Sequence, residues 1–241
     1  MPNIGDALKK VVEERPQDVH ATSHRTTEAS QLMNLNRRRI FQCLCHNPCS
    51  TLGQIVGYTG LSRSTASWHL DMLEKSAYVQ SGGQKLKYYY PVGFISPDNV
   101  PLFATLAMPE NFDVHAFILK NPGFDATSLA SISGLPLNRV RKAIGALLVQ
   151  RLIVKTIDGR YVRYYPTSRF AEVIVEEART RKQFIGKLVK RLSDERLMPE
   201  IDDLKGPNTV VTLNMHGMKD TLVIPRHFST PEKDSTNYCV I

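Results

Sequence analysis

The chain's 241 residues can hold two small domains with extensions or one large domain, and its 42% hydrophobic content is ordinary for a folded protein. No apolar run approaches the roughly 18 residues a membrane-spanning helix needs. The N-terminus lacks the apolar core of a signal peptide and carries Asp6, Glu13 and Glu14 instead, so a cytoplasmic location is expected, with the four cysteines as thiols.

The net charge of +8 is unevenly distributed. Residues 1–34 carry four bases and five acids, whereas 35–93 carry seven and two, a net +5. Residues 94–112 hold only two acids. Residues 113–170 carry nine bases and three acids, a net +6, and 171–241 balance at eleven of each. Two separate basic blocks point to two polyanion-binding modules rather than a diffusely basic surface. These boundaries divide the chain into an N-terminal extension, a first unit, a linker, a second unit and a C-terminal region.

The extension shows a short amphipathic stretch from Ile4 to Val12 and a polar segment around His20 to Thr27. In the first unit the pattern predicts a helix from Arg37 to Cys45, capped by Asn36 and closed by Asn47-Pro48. A second helix spans Thr51 to Tyr58 and is ended by Gly60; a third is capped by Ser62 and runs to about Lys75. Val79-Gln80 and Lys87 to Tyr90 read as strands around the turn Ser81 to Gln84. The linker contains Pro97, Pro101 and Pro109.

The second unit repeats the first at an offset of 74. Asn47-Pro48 falls on Asn121-Pro122, Gly60-Leu61 on Gly134-Leu135, Ile55 on Leu129, Leu70 on Ile144 and Leu73 on Leu147. One residue is then gained, and Tyr89-Tyr90-Pro91 falls on Tyr164-Tyr165-Pro166. A gapless match followed by one insertion in a turn is what a duplicated unit leaves. The second hairpin joins Lys155 to Ile157 with Arg160 to Arg163 through Asp158-Gly159. Beyond it, Phe170, Val173, Ile174, Ala178, Phe184, Ile185, Leu188 and Leu192 predict a long helix from Ser168 to about Leu197. Thr209 to Leu213 and Thr221 to Ile224 read as a small hairpin around His216-Gly217, with a disordered tail from 226.

Three helices and a hairpin, with a tight glycine turn before the third helix, describe a winged helix-turn-helix. The expected fold class is therefore mainly α with small β-hairpin wings (α+β), as two tandem units plus a long C-terminal helix. The segment Ser62-Arg-Ser-Thr-Ala-Ser-Trp-His-Leu-Asp-Met-Leu73 resembles the recognition helix of ArsR-type repressors, and Arg39-Ile40-Phe41 with Leu44 resembles their first helix. The second unit has Ala143-Ile144 in place of His69-Leu70 and looks instead like a MarR- or IclR-like winged helix. Tandem units of this kind are similar to a class of archaeal transcription regulators. The resemblance covers about half of the chain and implies a duplex-DNA-binding regulator.

Helical phase separates the buried from the reading face. Ala66, Leu70, Leu73 and Ala77 share one stripe of the first third helix, opposite Ser64, Trp68 and Asp71 and flanked by Thr65 and Ser67. In the second unit Val140, Ile144 and Leu147 face in, while Asn138, Lys142 and Gly145 face out beside Arg139 and Arg141. Candidate DNA-binding residues are thus Arg63, Ser64, Thr65, Ser67 and Trp68 in one helix and Asn138, Arg139, Arg141 and Lys142 in the other. Lys85, Lys87, Arg160 and Arg163 join them from the wings, where lysine and arginine track phosphates. Trp68 suits contact with DNA, with a protein partner or with a neighbouring element. His69 reads as a hydrogen-bonding spacer on the flank, with a pH or metal switch as the alternative.

Cys43, Cys45, His46 and Cys49 form C-x-C-H-x-x-C, the one candidate for a metal or redox sensor. Residues two apart on a helix point about 200° apart, so Cys43 and Cys45 cannot share an ion unless the helix ends between them. Packing is the competing reading, since Cys43 takes the place of Phe117. No phosphate loop, H-E-x-x-H or G-x-S-x-G is present, so neither catalysis, nor a cofactor, nor a bound metal is expected. The partner expected is double-stranded DNA, with no membrane. A protein-interaction module is the alternative. The long helix suggests a homodimer, because two small units cannot cover its apolar side; the alternative is that it folds back across both units of its own chain.

Overall fold

The computed structural model describes residues 28–202, 207–215 and 217–226. The stretch Ile4–Val12, the segment His20–Thr27, His216 and the tail beyond residue 226 lie outside the described residues. A 3-10 turn, Glu28–Met33, leads into α1 (Leu35–His46). Asn34, not Asn36, caps this helix: its side-chain oxygen accepts from the N–H groups of Asn36 and Arg37 at 3.1 and 3.2 Å. The first helical residue, Leu35, is exposed, so the apolar pattern carries no trace of the true start.

Strand β1 (Ser50–Thr51), α2 (Leu52–Thr59) and α3 (Arg63–Lys75) follow. A capping box between Thr51 and Gln54 starts α2, and Gly60 ends it in the left-handed region at φ 68°. Ser62 caps α3 by accepting from the Thr65 N–H. Strands β2 (Val79–Gly82) and β3 (Tyr88–Pro91) form the hairpin, and β1 joins it in the antiparallel order β1-β3-β2, pairing Ser50 with Tyr89. The span read as a linker holds regular structure: a 3-10 turn (Pro97–Asn99), α4 (Val100–Leu106) and the first residues of α5 (Pro109–Lys120). Phe94, Val100, Leu102 and Phe103 are buried there, so its prolines start helices rather than mark an exposed tether.

Helices α5, α6 (Ala126–Ser133) and α7 (Leu137–Val149) begin and end 74 positions after α1, α2 and α3. The end chemistry recurs as well. Asp125 accepts from the Ser128 N–H where Thr51 accepts from Gln54, and Gly134 has φ 67°. Ala77 and Arg151 both take positive φ immediately after the hairpin-preceding helix, and the N–H of Tyr78 donates to Leu73 as that of Leu152 donates to Leu147. Ala77 is therefore an exposed residue just beyond the C-cap Ser76 and not part of the core stripe, because α3 stops at Lys75. Strands β4 (Ile153–Asp158) and β5 (Tyr161–Pro166) pair with Asp158 opposite Tyr161, which moves the two-residue turn to Gly159-Arg160. Gly159 supplies the positive φ that such a turn requires. Tyr164 exchanges backbone bonds with Gly123 and Phe124 at 2.8 and 3.2 Å, as Tyr89 pairs with Ser50.

Helix α8 (Arg169–Asp194) straps these parts together. Its buried stripe is Val173, Glu177, Arg181, Phe184, Leu188 and Leu192, spaced by threes and fours. Phe184 lies 6.4 Å from Phe41 and 5.0 Å edge-on to Phe94. Glu177 accepts from the Ser96 N–H at 3.1 Å and from Asn99 at 2.8 Å. At the N-terminal end Phe170 meets His115, and Arg169 donates to Asn99 at 2.8 Å. At the other end Arg191 covers the Tyr78 ring at 3.7 Å and donates to the carbonyls of Ser76 and Ala77, while Tyr78 donates to Glu195 at 2.6 Å. Of its apolar residues, Val173, Phe184, Leu188 and Leu192 are buried within the chain, Phe170, Ile174 and Ile185 are half-buried and Ala178 is exposed.

Strands β6 (Glu200–Asp202), β7 (Asn208–Met215) and β8 (Met218–Pro225) close the described chain as an antiparallel sheet in that order. β6 adds to the expected hairpin. The sheet is tied to α1 by Arg38, whose guanidinium meets Asp220 at 2.6 Å. Among the described residues no helix is long and apolar enough to cross a membrane.

Candidate nucleic-acid interface

Each three-helix set places its last helix with one face in the core and the opposite face open. In α3, Ala66, Leu70 and Leu73 are buried with Ile40, Leu44 and Ile55 beneath them. In α7, Val140, Ile144 and Leu147 are buried over Val114, Ile118 and Leu129. The open faces lie at the same register, so they can be compared position by position: Ser64 with Asn138, Thr65 with Arg139, Ser67 with Arg141, Trp68 with Lys142, Asp71 with Gly145.

The two faces differ in chemistry. On α7, Asn138, Arg139, Arg141 and Lys142 are all exposed. Arg139 is tied by Glu110 of α5 at 2.5 Å. Arg141 and Lys142 meet no acid among the described residues, which leaves two whole charges for a polyanion. On α3, Arg63 and Ser64 are exposed while Thr65 and Ser67 are half-buried. The Ser62 hydroxyl lies 2.8 Å from that of Thr65 and 3.1 Å from that of Ser64, so capping occupies part of their hydrogen-bonding capacity. Trp68 is 56% exposed in the middle of this face, with Asp71 beside it.

His69 corrects its expected role. It is buried, its ring sits 4.8 Å from the Trp68 ring at an edge-on angle, and its Nδ1 has no hydrogen-bond partner among the described residues. Burial first, and then the Arg37 charge, push its pKa below the ordinary value and hold it neutral. A spacer with a bonded ring nitrogen is therefore not what this residue provides; its neutral ring braces the indole.

The hairpin cations fall into two groups. Lys85 is exposed in the loop before β3 and meets no acid among the described residues. Lys87 donates to Glu74 at 3.0 Å and stands over the Tyr89 ring, and the Glu74 bond raises its pKa. Arg163 donates to Asp158 at 2.5 Å and to the Gly123 carbonyl at 3.0 Å. Arg160 leans on its neighbour Tyr161 at the hairpin tip. Sequence reading missed these acids. The Asp158–Arg163 pair follows from the observed register, with Asp158 opposite Tyr161, in which the two are diagonal neighbours on one face; a turn at Asp158-Gly159 hides it. Glu74–Lys87 and Glu110–Arg139 join separate elements and leave no local signal.

Cys43, Cys45 and Cys49 are all buried. Burial raises the Cys45 and Cys49 thiols well above their usual range, opposite to what a thiolate ligand or redox sensor needs. Among the described residues no three His, Cys, Asp or Glu side chains are grouped so as to hold a metal.

Residues 33–80 match the family model of winged helix-turn-helix DNA-binding domains. The chain therefore contains such a domain, and the matched stretch takes in α1, α2 and α3 and ends within β2. No curated protein matches the chain in sequence. Two solved structures show partial likeness. The transcriptional regulator SlyA is 21% identical over 42% of this chain and 79% of its own, with a TM-score of 0.27. ScpB from Mycobacterium tuberculosis is 14% identical over 56% and 92%, with a TM-score of 0.23. At these values neither carries an argument about fold or function.

Proposed function

We propose that the chain is a cytoplasmic transcription regulator, without turnover, that binds duplex DNA through two winged helix-turn-helix units, residues 35–93 and 113–170. One observation carries the reading: α7 presents Arg141 and Lys142, unpaired among the described residues, at the register of the matched domain's own reading helix, α3. The ArsR-like and archaeal resemblance of Ser62–Leu73 belongs to the same reading. Arg63, Ser64, Thr65, Ser67 and Trp68 would serve one head, Asn138, Arg139, Arg141 and Lys142 the other, with the four wing cations on phosphates. Of the two arrangements expected for α8, this reading takes the one folded back across its own chain, which buried Val173, Phe184, Leu188 and Leu192 support.

The test is fluorescence anisotropy of the full chain with labelled duplexes over a salt series. Micromolar or tighter binding at about 50 mM salt, weakening with a steep logarithmic slope, is the expected result, because bound cations release condensed counterions. Absence of binding at low salt would refute the regulator reading. It would favour a protein-interaction module, the second reading that exposed Trp68 and Asp71 support.

A further inference from the structure

We infer that one chain reads a composite duplex site without dyad symmetry: an element bearing guanine under α7 and an element rich in thymine under α3. The inference rests on the duplex-binding reading and adds what kind of sequence is bound.

Its first ground is that equivalent positions carry unlike chemistry. On α7, Arg141 and Lys142 suit the guanine O6 and N7 acceptors, and Asn138 suits the N6 and N7 pair of adenine. On α3, the position of Lys142 holds the indole of Trp68 and that of Arg141 holds Ser67. The carbon face of an exposed indole in a major groove has its apolar partner in the thymine C5-methyl group, its N–H can donate to the neighbouring thymine O4, and Asp71 beside it disfavours close approach to phosphate. The indole is also steadied for such a contact, since the neutral, buried His69 ring lies edge-on at 4.8 Å.

The second ground is the attachment of the two heads. A palindromic site mirrors two copies of one face related by a two-fold axis. Here the second face is a different sequence in the same chain. Helix α8 touches the second set through Phe170 and His115, and the first through Arg191 with Ser76, Ala77 and Tyr78. Buried Glu177 fixes the connecting segment between them through Ser96 and Asn99. The order and spacing of the two elements are therefore set by the chain, within which α8 buries Val173, Phe184, Leu188 and Leu192.

The test is selection of bound duplexes from a library with a randomised core of about 30 base pairs, using the full chain. Native mass measurement of the complex on the selected duplex accompanies it. The expected result is a two-part motif of fixed order and spacing, bound by one chain. In the selected sites, R141A/K142A should weaken discrimination at the guanine element roughly ten-fold and leave the thymine element intact; W68A should do the reverse. Thermal melting of each variant checks that the fold persists, which exposure of all three side chains favours. A palindrome bound by two chains overturns the inference, as does a one-part motif or a thymine element indifferent to W68A. Failure to enrich any sequence, with no binding at low salt, would instead remove the duplex-binding reading beneath it.

Discussion

Replacing Arg141 and Lys142 by alanine removes the two cations of α7 that no acid among the described residues neutralises, and the size of the effect follows from that count. Each phosphate neutralised on B-DNA contributes about 0.9 to the slope of log affinity against log salt. Removing both cations should make the slope shallower by about 1.8, which corresponds at 0.1 M salt to roughly 60-fold weaker binding. Arg139 is left out because Glu110 already holds it at 2.5 Å. The comparison is S64A/S67A on α3, which removes no charge and should cost less than about ten-fold. Both changes lie on the open faces, clear of the buried residues Val140, Ile144, Ala66 and Leu70. Anisotropy titrations of both double variants at four or more salt concentrations supply affinity and slope together. Equal losses, or an unchanged slope in R141A/K142A, would show that α7 is not the electrostatic anchor.

Freeing Arg139 by E110Q should tighten binding about threefold, the scale of one exposed ion pair released; unchanged or weaker binding would mean that Arg139 does not face DNA. His115 occupies the place of Phe41, and burial lowers its pKa to about 4 from 6.5. It is neutral in both folded and unfolded chain well above pH 6.5, and as pH falls through that value the unfolded chain takes the proton first. Stability should therefore drop by about 2 kcal/mol between pH 7.5 and 5, tending to about 3 kcal/mol below pH 4. Urea unfolding of H115F should lose most of this dependence, whereas parallel pH profiles for the two proteins would refute the assignment. Replacing Cys43, Cys45 and Cys49 together by alanine should cost about 1 kcal/mol of stability per buried sulfur and change DNA affinity less than about twofold. Stoichiometric metal in the purified protein that disappears in this variant would restore the sensor reading.

Local chemistry made much of the fold readable. Ser62 as a cap, Gly60 and Gly134 as left-handed stops, and the alternation of Val140, Ile144 and Leu147 each act over a few residues and were legible for that reason. The losses lie where distant parts decide. Asn34 caps α1 although an exposed Leu35 hides the helix start, and Ala77 continues the apolar phase of a helix that has already ended. β6 forms because a sheet edge at β7 is there to receive it. The linker prolines looked like a tether until the cover that α8 gives Phe94 and Asn99 was in place. In the candidate interface the open faces were readable from phase alone. Which cations remain unpaired was not, because Glu74 and Glu110 reach Lys87 and Arg139 from other elements. His69 was misplaced for a related reason: its ring is enclosed by tertiary packing that helical phase alone does not reveal.

Sequence-specific recognition of duplex DNA is the central claim, and capture of genomic fragments by the full chain tests it most directly. Sheared DNA is incubated with the tagged chain at about 0.15 M salt, and the retained fragments are sequenced in replicate. The account predicts a reproducible set of fragments sharing one motif, retained less by R141A/K142A, whose fragments show a weakened guanine element. Retention indifferent to sequence, or no retention above that of the variant, would contradict it.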